Sequence, residues 1–169
     1  TWSTQRNQAQ PTGRPIVVLD DRTHSDADKL GAVGDIQFCL DQLEVDDDIL
    51  VIAGDNLFTN RLRDAWQVFQ QHYQDMILVK EVPENEDPRR FAIISSDSDG
   101  LVTEMVEKPA HPTSRMAAYA TYFYRRDTLP LIRQYLDDGN NPDAPGNFPV
   151  WLYSRKPVRA YMFDGICID

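Results

Sequence analysis

Residues 49–58 read ILVIAGDNLF. Residues 49–53 form an unbroken apolar run, after which the chain turns through Gly54, Asp55 and Asn56 and returns to Leu57 and Phe58. A short apolar run bounded by turn residues predicts a buried strand. A buried strand that finishes on an acid is either just ending, because Gly-Asp-Asn is ordinary turn chemistry, or presenting that acid to something.

The elements on either side give this strand its setting. PIVVL at 15–19 predicts a strand, and GAVGDIQFCLDQL predicts a helix over 35–43 opening on a Gly-rich turn. Asp46, Asp47 and Asp48 read as a solvated loop. Leu62, Trp66, Phe69 and Tyr73 at helical spacing predict a helix over 61–73 whose aromatics are core. Strands follow at 76–82, 91–95, 101–106 and 117–124, the middle two flanking the hairpin turn SDSDG. A helix over 127–136 carries Pro130 in its first turn. DDGNNPDAPGN at 137–147 is the strongest loop in the chain. A short helix at 148–154 and strands at 157–163 and 166–168 complete the pattern. Strands alternate with helices early and become hairpin-like later. This predicts one α/β domain over 1–169 with a mixed, mostly parallel sheet.

The chain has 169 residues, 41% of them hydrophobic and 26% charged, as expected for a soluble globular domain. Its net charge of −10 argues against a nucleic-acid partner, which needs surplus Lys and Arg. A small phosphorylated ligand held by a few local cations or a metal ion stays compatible. No apolar run approaches the ~20 residues of a membrane helix. Cys39 and Cys167 lie in apolar segments without a CxxC, and read as reduced, buried thiols of a cytoplasmic protein. His24, His72 and His111 have no second ligand at metal spacing, which disfavours zinc.

Three places can carry chemistry. In an open α/β sheet ligands sit outside the carboxyl ends of strands, so Asp55 can hold Mg2+, a hard cation that often bridges to phosphates. EKPAHPTS, residues 107–114, sets a carboxylate beside an ammonium where Pro109 ends a strand. There Glu107 can accept hydrogen bonds from sugar hydroxyls and Lys108 can bind a phosphate, or the two form an exposed ion pair. LGAVGDI, residues 30–36, places glycines before a helix, where backbone N–H groups can meet a base or phosphate, or simply make a tight turn.

In combination and order, the Gly-rich turn, AGDNLF, EKPAHPTSRMAAYATYFY, NNPDAPGNFPVWLY and a final apolar strand ending in Asp resemble the sugar nucleotidyltransferases, and within them the glucose-1-phosphate thymidylyltransferase-like branch. The resemblance covers essentially the whole chain. It implies a Rossmann-like nucleotidyltransferase fold. It also implies Mg2+-dependent coupling of a nucleoside triphosphate (dTTP or UTP) with a sugar 1-phosphate, giving an NDP-sugar and pyrophosphate. By the same resemblance Asp55 and Asp169 would be metal ligands, Glu107 would meet sugar hydroxyls, Lys108 the sugar phosphate, and Gly31 would lie near the base.

The chain departs from the family pattern in three places. The Gly-rich loop with an arginine and a Pro-Lys pair, which cradles the triphosphate, does not occur within the 169 residues. Arg90-Phe91-Ala92 stands where Arg-Tyr-Gly is usual, and Ala120 where a glycine is usual. The expectation is therefore a domain incomplete at both ends, its first strand missing, inactive alone, with an open sheet edge that favours a homo-oligomer. Two other readings stand beside it: a non-catalytic relative that binds nucleotide sugars, and a nucleotide-sugar-dependent glycosyltransferase. The second would want an Asp-x-Asp at the metal strand, and the chain has Gly54-Asp55-Asn56-Leu57.

Overall fold

The computed structural model of the chain describes residues 3, 4, 7, 15–59, 61–165 and 167–168. The chain forms two compact units, Thr1–Leu30 and Gly31–Asp169. In the first unit the strand expected at 15–19 does not form. A strand needs a ladder, and here the backbone of Ile16 bonds instead to a side chain: its N–H donates to Asn7 Oδ1 (2.9 Å) and its carbonyl accepts from Asn7 Nδ2 (3.0 Å).

The second unit holds the sheet. Its strands are β1 (Ile49–Ile52), β2 (Leu57–Phe58), β3 (Asp75–Glu81), β4 (Ala92–Ser96), β5 (Val102–Glu107), β6 (Met116–Tyr124), β7 (Val158–Met162) and β8 (Cys167–Ile168). Its helices are α1 (Ala32–Gln42), α2 (Leu62–His72), α3 (Leu129–Asp137) and α4 (Asn147–Leu152). The main sheet runs β5-β4-β6-β3-β7, with β1 also on β6, and β2 pairs β8 as a separate antiparallel ribbon. The expected mixed sheet is present. β1, β3, β4 and β7 point one way, but β6 lies among them pointing the other, so of the main-sheet ladders only β3·β7 is parallel. Among the described residues no helix is long and apolar enough to cross a membrane.

Period-two alternation sorts the sheet's side chains onto two faces. Ile77, Val79, Ala118, Tyr122 and Tyr124 pack with α1, α3 and α4. Met76, Leu78, Ala117, Tyr119 and Phe123 pack with α2 through Ala65 and Phe69. β3 is buried over residues 75–79, and its apolar stretch 76–79 is flanked on both faces. Cys39 is exposed on α1, contrary to the expectation of a buried thiol; the inward positions of that helix are Val33, Gln37 and Leu40. The acids at 46–48 are more than a solvated run: Asp46 pairs with Arg126 (2.6 Å) and Asp48 with Arg125 (2.7 Å).

Arg125 and Asp75 join the layers at one end of β6. The Arg125 guanidinium lies over the Phe69 ring, 3.7 Å from its centroid, and donates to the Phe69 carbonyl. Asp75 is fully buried and accepts from the Arg125 backbone N–H (2.7 Å) and the Thr128 hydroxyl (2.7 and 2.8 Å), with Lys156 Nζ at 3.2 Å. Burial pushes its carboxyl above the usual range, while these partners pull the other way.

Asp75→Ala is expected to destabilise the fold by about 2–4 kcal/mol in chemical denaturation, because it leaves the buried Arg125 N–H and Thr128 hydroxyl without their acceptor, while Lys156 keeps Asp127 at 2.5 Å. Asp75→Asn, which keeps an acceptor, should cost less. A raised carboxyl pKa means that the folded state holds more protons, so this group's contribution to stability falls as pH rises from the ordinary 3.8 through the raised value. Asp75→Asn should remove that slope.

Candidate active site

β6 is paired with β3 along one edge, but two strands share its other edge. β4 covers Ala117 and Ala118, and β1 covers residues 121–124, with the Ala53 N–H reaching the Ala120 carbonyl at 2.9 Å. Where β1 ends and β4 begins the edge is open, and a cavity of about 260 Å3 occupies the fork. Asp55 and Asn56 enter it from the end of β1, Arg90 and Phe91 from the start of β4, and Glu107 and Lys108 from the end of β5. The β4·β5 register sets Glu107 opposite Ala92. Ala118, Ala120 and Tyr122 line it from β6, and the loop at 144–146 lines it from the far side.

Glu107 is half-buried, and that burial raises its carboxyl pKa above the ordinary 4.5 against the opposing pull of Lys108. Gly146 packs against it so closely that a Cβ there would lie 2.7 Å from Glu107 Oε2 and 3.7 Å from the Tyr122 hydroxyl. The Tyr122 phenol is buried and its pKa is pushed well up, first by that burial and then by Glu107. This corner therefore holds an acceptor carboxylate beside a phenol that stays protonated, suited to neutral hydroxyl groups.

Lys108 has a left-handed backbone (φ +45°), an uncommon conformation for a side-chain-bearing residue and further disfavoured before Pro109. Its N–H bonds the Phe91 carbonyl at 3.1 Å. Strain of this kind costs on the order of 1–3 kcal/mol and gathers at functional sites. The ammonium is exposed and 4.0 Å from Glu107, a loose pairing that leaves it able to take an anion. Arg90 brings a second cation to the same cavity.

Asp55 is exposed at the cavity mouth, and the buried Oδ1 of its neighbour Asn56 has no hydrogen-bond partner. A carboxylate and an amide oxygen are the hard donors Mg2+ takes, usually with substrate phosphates completing the shell. The residues present fit that ion, although among the described residues no cluster of three or more His, Cys, Asp or Glu stands ready to hold a metal by itself. The β2·β8 ladder sets Ile168 opposite Leu57, next to this turn. Asp169 lies outside the described residues.

Gly31 does not line this cavity. It is buried with φ +76°, and a Cβ on it would lie 2.7 Å from the Pro142 carbonyl oxygen. The N–H groups of Val33 and Ala32, which open α1, donate to the carbonyls of Pro142 (2.9 Å) and Asp143 (3.4 Å). The structure thus brings Asp55, Glu107 and Lys108 together and sets Gly31 against the loop that leads to Gly146. Tyr122, Asn56 and Gly146 were not foreseen as site residues. Tyr122 could have been found as an inward tyrosine next to Ala120 on the same strand, whereas nothing local marks Gly146.

The family profile described as Nucleotidyl transferase matches residues 7–165. A glucose-1-phosphate adenylyltransferase of Geobacillus stearothermophilus is 32% identical over 130 residues, which are 73% of this chain and 33% of that protein. One from Bacillus subtilis (strain 168) is 31% identical over 131 residues, 72% of this chain and 33% of its own length. The chain thus spans about a third of the curated relatives it matches. Among solved structures, a putative glucose-1-phosphate thymidylyltransferase from Bacillus anthracis in complex with a sucrose superposes with a TM-score of 0.69 at 23% identity, covering 95% of this chain and 62% of that one. A UDP-glucose pyrophosphorylase complexed with UDP-glucose does so with a TM-score of 0.67 at 21% identity, covering 82% and 56%. These structural likenesses bear on the fold, and the match across nearly its whole length establishes that the chain belongs to the nucleotidyl transferase family.

Proposed function

We propose that the protein carrying this chain transfers a nucleotidyl group from a nucleoside triphosphate to a sugar 1-phosphate, releasing pyrophosphate, and that the fork beside β6 is its sugar-phosphate site. The observation that carries this is the convergence of Asp55, from the end of β1, with Glu107 and Lys108, from the end of β5, on one cavity. Its volume of about 260 Å3 lies below the roughly 300–1,000 Å3 usual for drug-sized ligands and suits a sugar ring rather than a whole nucleotide sugar. Resemblance points to dTTP or UTP, while the sequence relatives named above are adenylyltransferases, so ATP belongs beside them as a donor.

The chemistry asks little of the protein by way of a nucleophile. A phosphate monoester has its second pKa near about 6, so a sugar 1-phosphate is already largely dianionic at neutral pH. One of its oxygens attacks the α-phosphorus, the bond to the β-phosphate oxygen breaks, and pyrophosphate departs with that electron pair. The obstacle is anion meeting anion, and catalysis becomes positioning plus charge neutralisation. Glu107 accepts sugar hydroxyls and orients the ring, while Lys108, with Arg90 beside it, neutralises the sugar phosphate. Asp55, with Asp169 as the second ligand that the resemblance supplies, would hold Mg2+, whose chemistry is to draw charge from the phosphates.

Asp55→Asn in the complete natural gene product is expected to lower pyrophosphate release by on the order of 10²–10³-fold while far-UV circular dichroism stays unchanged. Full activity would overturn the assignment. Glu107 accepts most strongly when ionised, and burial raises its carboxyl pKa above the ordinary 4.5. Acidification should therefore raise KM for the sugar 1-phosphate at a higher pH than an ordinary glutamate would. Glu107→Gln should raise KM throughout and abolish that part of the pH profile. The sugar phosphate's own titration remains in both proteins and cancels in the comparison.

A further inference from the structure

We infer that Gly31 is a positioning residue for the sugar site, acting through the loop between α3 and α4; this rests on the sugar-phosphate reading of the cavity. The loop is held at two places. At Pro142 and Asp143 its carbonyls take the opening N–H groups of α1, at 2.9 and 3.4 Å. At Asn141 its carbonyl accepts from the Tyr135 hydroxyl (2.5 Å) and from Asn147 Nδ2 (3.2 Å). From these anchors it runs to Gly146, whose Cα faces Glu107.

Both glycines are forced by close approach, from opposite ends of one segment. At Gly31 the neighbour is backbone, 2.7 Å from where a Cβ would stand, and φ is +76°, so any side chain must push the loop away or unwind the turn. At Gly146 the neighbour is the end of the Glu107 side chain, so an added methyl displaces that carboxylate while the backbone, in the ordinary helical region at φ −70°, is unstrained. Tyr135 is itself wedged edge-on against Phe148 and Trp151, with centroids 5.6 and 5.7 Å away, which fixes where its hydroxyl points. The Gly-rich turn before α1 and the wall of the sugar pocket are thus one mechanical unit, and displacement at Gly31, itself outside the cavity, reaches Glu107 through the 144–146 wall.

The test is titration calorimetry of the complete natural gene product with glucose 1-phosphate, alongside thermal denaturation and KM for the triphosphate. Gly31→Ala is expected to weaken glucose 1-phosphate binding on the order of 10-fold to 100-fold, the scale of a misplaced binding group. Tyr135→Phe reaches the loop from its other anchor and should weaken binding about 5-fold, as the loss of one hydrogen bond implies, with KM for the triphosphate unchanged. Gly146→Ala should weaken binding with no loss of thermal stability. If Gly31→Ala fails to fold, Tyr135→Phe alone decides. Wild-type affinity in Tyr135→Phe, or a Gly31→Ala defect confined to the triphosphate, overturns the inference while leaving the sugar-phosphate reading intact. No binding by the wild type overturns that reading, and the inference with it.

Discussion

The structure depends on the way β6 shares its edges. A strand has two hydrogen-bonding edges, and β6 gives one to β3, with a register shift between Ile77 and Val79. The other is divided between β4 near its start and β1 near its end. Two strands pointing the same way along one edge, one ending where the other begins, cannot close the gap between them without colliding. The opening in the sheet therefore follows from the pairing and needs no special residue. What the sequence adds is chemistry at each lip: Asp55 where β1 stops, Arg90 before β4 starts, and Glu107 and Lys108 where β5, in register with β4, runs out.

The two ends of β6 are built on opposite principles. At the Tyr124 end the charges are answered: Asp75 has donors from backbone, hydroxyl and ammonium, and Arg125 meets a ring, a carbonyl and Asp48, although its buried Nε has no hydrogen-bond partner. At the fork the same local rules are broken. A lysine sits in the left-handed region, a glutamate has its pKa raised by burial with only a loose cation nearby, and an asparagine oxygen is buried unpaired. Such violations are costly, and proteins keep them where a ligand repairs them. The closed end supplies the rigidity against which the open end can hold strained groups.

Much of this was legible from local pattern. The apolar runs gave β1, β3 and β6 nearly to the residue; β3 and β6 are largely buried, whereas β1, expected as a buried strand, alternates and leaves Leu50 and Ile52 exposed. Asp55 and the Glu107–Lys108 pair stood out because each follows such a run, and the sheet did place them together. The fork was not legible, since which edge of β6 each partner takes is decided by packing far along the chain. For the same reason PIVVL read as a strand: its β-branched residues fit a pleat, but no ladder forms there among the described residues. Gly146 was hidden because its constraint is Glu107, thirty-nine positions away in sequence, and the packing of Gly31, expected near the base, because its constraint is Pro142.

The cavity's charge also has to be weighed against that of the whole molecule. The chain carries −10, and its proposed substrates are anions, so the long-range field opposes their approach. Within the cavity Arg90 and Lys108 balance Asp55 and Glu107, leaving almost no surplus positive charge to meet a phosphate dianion and a triphosphate at once. A site so poor in cations works only if positive charge arrives with the substrate. That is the condition under which an exposed carboxylate at the end of β1 helps rather than hinders. A bare aspartate would repel a triphosphate, but one sharing the proposed Mg2+ with it would become an anchor. On this argument the acidity of the chain, which argues against a nucleic-acid partner, is compatible with a phosphate ligand because the proposed metal and the two local cations would act at short range, where screening leaves them effective and the distant acids weak.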